Sequence, residues 1–227
     1  MGRRNHENLT ALEPLPQTSE APPLNSPERL LEAAGEVFAE KGFKGATVRE
    51  IIDRAGVNIA AVNYYFRNKE RLYIEAVKHV ARIGTDAELT WPADKPPAEK
   101  LREFIYFHVR GLLDPNKPAW HARLMMREMS HPSAACTELV RDYIEPKSRI
   151  LAGILRELLP PDSQRRRIFL TVCSIIGQCI FHCSHKPVIM LLAGEEEYKH
   201  LDPTAVAEHI TQFSLRALGV AGLGNGV

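Results

Sequence analysis

Cysteine and histidine side chains within residues 179–185 have the chemistry of zinc ligands. Cys179 lies three residues before His182 and four before Cys183, so these donors share one helix face, with His185 just beyond. The spacing differs from the paired CxxC array of a structural zinc site, and apolar residues surround the donors. The sequence therefore favours buried thiols and imidazoles, with a metal site as the alternative.

The other candidate for chemistry is a charged pair in an apolar context, Arg127 followed by Glu128. The sequence contains no GxSxG, HExxH, phosphate-loop or dinucleotide-binding glycine motif. We therefore predict that the protein is not an enzyme and needs no cofactor. The charged pair is expected to orient a ligand or to close an ion pair.

A polar and aromatic segment nearer the N-terminus has residues suited to the recognition of duplex DNA. Thr47 and Glu50 form a capping box at the start of a short helix. A tight turn at Gly56 follows, and Asn58 can cap a second short helix over residues 59–66. Two short helices joined by such a turn predict a helix-turn-helix, whose second helix enters the major groove.

Capping residues, glycines and prolines divide the rest of the chain into helices. Ser26 and Pro27 begin a helix over residues 27–41 that stops at Gly42, and Asn68 caps the helix after the helix-turn-helix. Helical periodicity predicts further helices at about 98–113, 119–129, 134–158, 163–184 and 203–218. Pro146 predicts a kink or break inside the third of these. No segment alternates with period two, so the sequence predicts an all-α fold.

Composition and charge indicate how the chain is organised. It has 227 residues, 44% of them hydrophobic, and a net charge of +1, as expected of a globular protein that binds DNA only through a local surface. Residues 1–25 contain four prolines and no helical period, which predicts a disordered tail. Residues 26–82 are predicted to form the DNA-binding domain, and residues 83–227 a ligand-binding and dimerisation domain. No signal peptide or bilayer-spanning run is evident, so we expect a cytoplasmic protein with free thiols and no membrane partner.

Three segments carry a resemblance to a known family: ATVREII at 46–52, AGV at 55–57 and YYFRNKERL at 64–72. Together they resemble the signature of the TetR family over about residues 28–82. MREM at 126–129, YIEP at 143–146, SIIGQC at 174–179 and KP at 186–187 are similar to the CecR (YbiH)-like branch of that family. The resemblance implies a TetR-like fold, with a three-helix helix-turn-helix domain followed by a C-terminal helical bundle.

The resemblance also implies DNA contacts. Ile59, Ala61 and Asn63 match positions that meet bases, and Arg49 is a candidate for a guanine or a phosphate. The predicted set is completed by the cap residue of the second short helix and by residues matching backbone contacts: Thr47, Asn58, Tyr64, Tyr65 and Lys69. Many members have Gly-Thr at positions 60–61 and tyrosine at 63, where this chain has Ala-Ala and asparagine. The alternative interpretation of the two tyrosines is packing.

Two apolar helices predict a homodimer. The 163–184 segment is apolar on more than one face, and the 203–218 segment has one apolar stripe containing Val206, Ile210 and Phe213. A four-helix interface across a two-fold axis would bury both, and it matches the symmetry of operators with two half-sites. The alternative is a monomer in which these helices are internal.

A small-molecule pocket is expected among the C-terminal helices, with mostly apolar walls and a few polar groups. Its candidate residues are Phe104, Phe107, His108, Trp120, Leu124, Met125, Arg127, Glu128, Met129, Ile176, Ile180 and Phe181. The sequence thus predicts a ligand-responsive dimeric regulator that represses transcription at a palindromic operator and is released by an unknown small molecule. The alternative is a helical ligand- or metal-binding protein whose helix-turn-helix has lost DNA binding.

Overall fold

A computed structural model describes residues 26–83 and 89–220, and the tail predicted at 1–25 lies outside the described residues. Within those ranges the chain is helical and contains no strand, which confirms the all-α prediction. The N-terminal helices are α1 (Ser26–Gly45), α2 (Val48–Ala55), α3 (Ile59–Phe66) and α4 (Lys69–Arg82). They are followed by α5 (Pro97–Leu112), α6 (Ala119–Ser130), α7 (Ala134–Leu139), α8 (Glu145–Leu158), α9 (Arg165–Ser184), α10 (Lys186–Ala193), α11 (Glu195–Tyr198) and α12 (Pro203–Ala217).

The first hydrophobic core is built by α1 to α4 together with α6 and α7. Phe38 of α1, Ile51 of α2 and Leu72 of α4 are fully buried in it. Trp120 and Leu124 of α6 belong to the same core. Two helices that follow residue 83 in the chain therefore pack with the DNA-binding helices rather than with the rest of the C-terminal domain.

The second core lies among α5, α8, α9 and α12. Phe104 of α5, Leu151 of α8, Ile175 of α9 and Ile210 of α12 are buried in it. These four helices hold the C-terminal part of the chain together, since the remaining helices beyond residue 140, α10 and α11, contribute few buried side chains.

At two places where the sequence predicts that a helix stops or kinks, the structure has an irregular helical turn. Gly42 interrupts α1 with φ 71°, a left-handed backbone that glycine adopts without strain. A π-helical turn, Val140–Ile144, separates α7 from α8, and Pro146 lies in the first turn of α8. The backbone stays in the right-handed helical region from Leu139 to Glu145, so the helix predicted at 134–158 is locally widened just before Pro146 and is not broken.

Two short helices, α10 and α11, were not predicted. α10 has eight residues, begins with Lys186-Pro187 and ends at Ala193, just before Gly194, whose φ is 81°. Its LeuLeu pair at 191–192 is exposed, so the segment has no inward-facing stripe from which a helical period could be read.

The apolar helix α9 is only partly covered by its own chain. Phe169 is 63% exposed and Leu170 54% exposed. Among the described residues α9 is also the helix long and apolar enough, by length and composition, to cross a membrane. The neighbouring α12 exposes Phe213 at 58%. The sequence predicts that these apolar faces of α9 and α12 are buried, and a single chain does not bury them.

Candidate nucleic-acid interface

The helix-turn-helix begins with a complete capping box at α2. The Glu50 N–H donates to Thr47 Oγ1 at 3.2 Å, and the Thr47 N–H donates to Glu50 Oε2 at 3.2 Å. Lys41 of α1 forms an ion pair with the same glutamate. These bonds fix the first turn of α2 against the end of α1 and leave the remainder of Thr47 facing solvent.

The turn between α2 and α3 is held by backbone geometry and by one arginine. Gly56 has φ 63° and ψ 41°, the left-handed conformation in which its N–H can bond to the carbonyls of the last turn of α2. The Arg29 guanidinium donates to the Ala55 carbonyl and, at 3.2 Å, to the Gly56 carbonyl. The angle between α2 and α3 is thus fixed from α1.

α3 has one buried face and one exposed face. Val62 and Phe66 are buried in the first core, as predicted, and Asn58 caps the helix by accepting the Ala61 N–H at 3.1 Å. Tyr64 is 81% exposed, and its ring meets that of its neighbour Tyr65 edge-on at 4.9 Å between centroids. Aromatic side chains held on the outer face of a short, well-anchored helix are placed for contact with a partner.

The other predicted DNA contacts surround this face. Ile59, Asn63 and Tyr65 are exposed and Ala61 is half-buried. A shallow groove of about 690 Å³ runs along α3 and is lined by Gly56, Val57, Asn58, Ala60, Ala61, Tyr64 and Tyr65. Of the predicted residues of α3, Ala61, Tyr64 and Tyr65 line this groove, whereas Ile59 and Asn63 are exposed outside its lining.

Arg49 and Lys69 flank the α3 surface. The Arg49 side chain is 89% exposed and lies 4.0 Å from Asp53, a loose pair that leaves the guanidinium free to bind elsewhere. Lys69 Nζ lies 4.7 Å from the centre of the Phe43 ring. Phe43 was not among the predicted residues, although its position after the Gly42 break places it beside the start of α4.

The predicted ligand-binding residues are divided between the two cores. Trp120, Leu124 and Met125 pack in or against the first core, whereas Phe104 and Ile176 belong to the second. Phe107 and His108 are half-buried on α5; Arg127, Met129, Ile180 and Phe181 are exposed. The structure does not gather the whole set into one pocket.

Glu128 is held in place by buried hydrogen bonds. It is fully buried and accepts the Tyr73 hydroxyl at 2.6 Å and the Ser133 N–H at 2.8 Å. Burial and the adjacent carboxylate raise the pKa of Tyr73 well above its usual range. Glu128 therefore connects α6 to α4 and to the N-terminus of α7, while its neighbour Arg127 points outward beside Gly42.

The cysteine and histidine donors of α9 are dispersed. Cys179 is buried, His182 and Cys183 are half-buried, and His185 is exposed. Burial raises the pKa of Cys179 to about 12, which disfavours the thiolate that zinc binds. Within residues 26–83 and 89–220, no three Cys, His, Asp or Glu side chains are grouped so that they could hold a metal ion.

Comparison with known proteins identifies both parts of the chain. Residues 30–76 match the family of bacterial regulatory proteins called the tetR family. Residues 97–218, more than half of the chain, match the C-terminal domain of the HTH-type transcriptional dual regulator CecR.

Individual relatives agree with the family matches. The HTH-type transcriptional dual regulator CecR of Shigella flexneri is 29% identical, with 81% of this chain and 88% of that protein covered. A probable HTH-type transcriptional regulator, YttP of Bacillus subtilis, is 26% identical over 66% of this chain and 70% of its own length. A solved structure, the Clostridium perfringens putative fatty acid metabolism regulator, has a TM-score of 0.63 at 24% identity and covers 83% of this chain and 97% of its own.

These relatives are transcriptional regulators and not enzymes. The chain therefore belongs to the TetR family of DNA-binding transcriptional regulators, with a CecR-type C-terminal domain.

Proposed function

We propose that this protein is a homodimeric, cytoplasmic repressor that binds a palindromic operator and is released from it by a small molecule. The observation that carries the proposal is the exposed face of α3, with Tyr64 81% exposed on a helix whose opposite face is fixed in the core. In this arrangement Asn63 and Ile59 face bases, and Thr47, Arg49 and Lys69 face phosphates.

Exposed apolar side chains on α9 and α12 support the dimer. The two helices pack against each other within the chain, and both expose phenylalanines, Phe169 and Phe213. A second copy related by a two-fold axis would cover them in a four-helix interface. We favour this partner over a lipid bilayer, because α9 begins with three consecutive arginines and packs along one side on the second core.

Contacts between α4 and the helices after residue 119 supply a route from a ligand to DNA. Besides the Tyr73–Glu128 hydrogen bond, Arg71 and Lys78 of α4 bind Glu138 of α7 at 2.7 and 3.1 Å. α4 follows α3 directly, so a movement of α6 and α7 would carry α3 with it. If the α3 helices of both subunits moved in this way, the distance between them would no longer match the two half-sites of the operator.

The DNA-binding part is tested by selecting bound sequences from random duplex DNA and measuring affinity in gel-shift assays. We expect an inverted repeat, and at least a hundredfold weaker binding for the triple variant Arg49→Ala, Tyr64→Ala, Lys69→Ala. The control Arg149→Ala removes an exposed positive charge from α8 and should bind normally. Equal binding by the wild type and the triple variant would refute the docking surface.

Repression is tested with a reporter gene behind the selected operator. Expression should rise when the regulator gene is deleted, and should fall again when the wild-type protein, but not the triple variant, is supplied. A fall in reporter expression on deletion would instead identify an activator.

A further inference from the structure

The packing of α5 against α8 brings two basic side chains together inside the C-terminal domain. The helices are antiparallel, since Lys100 near the start of α5 pairs with Glu157 near the end of α8 at 2.8 Å, and His108 near the end of α5 interacts electrostatically with Lys147 near the start of α8. From this pair, His108 lies eight residues along α5 and Lys147 ten residues back along α8. At 1.5 Å per residue these steps are about 12 and 15 Å, which places the two side chains opposite each other.

Both residues lie on the buried faces of their helices. Lys147 precedes buried Leu151 by four residues, and His108 follows buried Phe104 by four, with its ring stacked on that phenylalanine at 5.7 Å between centroids and 9° between planes. The apolar contact between α5 and α8, which we call the α5–α8 seam, therefore has an imidazole and an ammonium group at one end.

A second lysine lies close to this end of the seam. Lys117, before α6, donates to the Ile83 carbonyl at 2.8 Å and to the Gly111 carbonyl at 2.7 Å. Its half-buried amine thus joins the ends of α4 and α5. Burial lowers the pKa of Lys117, and the nearby charge of Asp114 offsets part of that decrease.

Lys147 has no such compensation in the described part of the chain. Burial lowers its pKa, and the charge of Lys117 lowers it further, with no acidic side chain acting in the opposite direction. Burial and the charge of Lys147 also lower the pKa of His108, to about 4. The like charges of Lys117 and Lys147 repel each other where water is largely excluded, and an anion bound between the two ammonium groups would remove that penalty.

We propose that the effector of this regulator is an organic carboxylate, whose acid group is bound by Lys147 and Lys117 beside His108 while its apolar part lies along the α5–α8 seam. The inference rests on the proposed ligand response and specifies the charge of the ligand. Ammonium and imidazole N–H groups donate to carboxylate oxygens, and the stacked Phe104 supplies an apolar wall.

The test compares acids with neutral molecules of the same shape. Calorimetric titration would use octanoate against octanamide, decanoate against decanamide, and benzoate against benzamide. We expect at least one acid to bind ten times more tightly than its amide. Lys147→Met should abolish this preference, whereas Arg149→Met, which removes an exposed charge from the same helix, should keep it.

A measurement without ligand separates this proposal from a structural role for Lys147. Because the unliganded protein contains an uncompensated charge, Lys147→Met should raise the melting temperature, whereas replacement of a structural lysine would lower it. The absence of an acid preference in every pair, its persistence in Lys147→Met, or a lower melting temperature in that variant would each overturn the proposal. Gel shifts without ligand test the proposed function independently, since operator binding does not require the carboxylate.

Discussion

Tyr73→Phe tests the buried connection between the DNA-binding helices and the C-terminal domain. The substitution removes the hydroxyl that donates to Glu128 at 2.6 Å and keeps the ring that packs edge-on against Phe38. A hydrogen bond to a charged group contributes about 1.5–3 kcal/mol. For a chain of this size, each kcal/mol shifts the melting temperature by about 2–4 °C, so we expect a decrease of about 3–12 °C.

The same variant should change the dependence of stability on alkaline pH. Because the pKa of Tyr73 is raised in the folded protein, its contribution is complete below the usual tyrosine pKa of about 10 and is lost as pH rises above it. The wild type should therefore lose stability above pH 10 more steeply than Tyr73→Phe does.

Thermal unfolding at fixed protein concentration, followed by circular dichroism at neutral and at alkaline pH, measures both effects. Tyr143→Phe is the matched control, because Tyr143 is half-buried against the same core without the link to Glu128. Equal losses of stability in the two variants, with equal slopes above pH 10, would refute the reasoning.

Three further perturbations follow from packing, titration and exposure. Gly35→Ala makes the new methyl group clash with the Trp120 ring and should lower the free energy of unfolding by about 1–3 kcal/mol. Gly153→Ala, in open space within α8, should raise it by up to about 1 kcal/mol, and chemical denaturation compares the two variants. His108 is held neutral, so its contribution to stability is complete above pH 6.5 and is lost as pH falls toward 4; His108→Gln should flatten this decline in melting temperature. Phe169→Asp should convert the proposed dimer to a monomer in light-scattering measurements, and a dimer that persists in this variant would refute the proposed α9 interface.

Local chemistry explains why the helix-turn-helix could be predicted from the sequence. Thr47 bonds to Glu50 three residues later, Asn58 caps the N–H of Ala61, and the Gly56 N–H bonds back to the last turn of α2. Because each of these contacts joins residues within one turn, residue type and spacing are enough to predict them. The exposed and buried faces of α3 follow from the same helical period.

The surroundings of Glu128 could not be predicted in this way. Its partner Tyr73 is 55 residues away in the sequence, and no local spacing indicates that the two will meet. The Arg127-Glu128 pair was predicted to orient a ligand or close an ion pair, but helical geometry directs adjacent side chains to different faces. One therefore packs inward against α4 and the other extends toward Gly42.

The boundary between the two cores is where we expect a ligand to shift the helices. α6 and α7 pack with α1 and α4, while α5, α8, α9 and α12 form the other core, so the joint lies between these two groups of helices. Lys117 spans it, because its amine binds carbonyls at the ends of α4 and α5. A carboxylate held by both Lys117 and Lys147 would draw this amine toward α8. It would therefore act at the joint itself, where a small displacement would turn α4, and with it α3, relative to the proposed dimer interface.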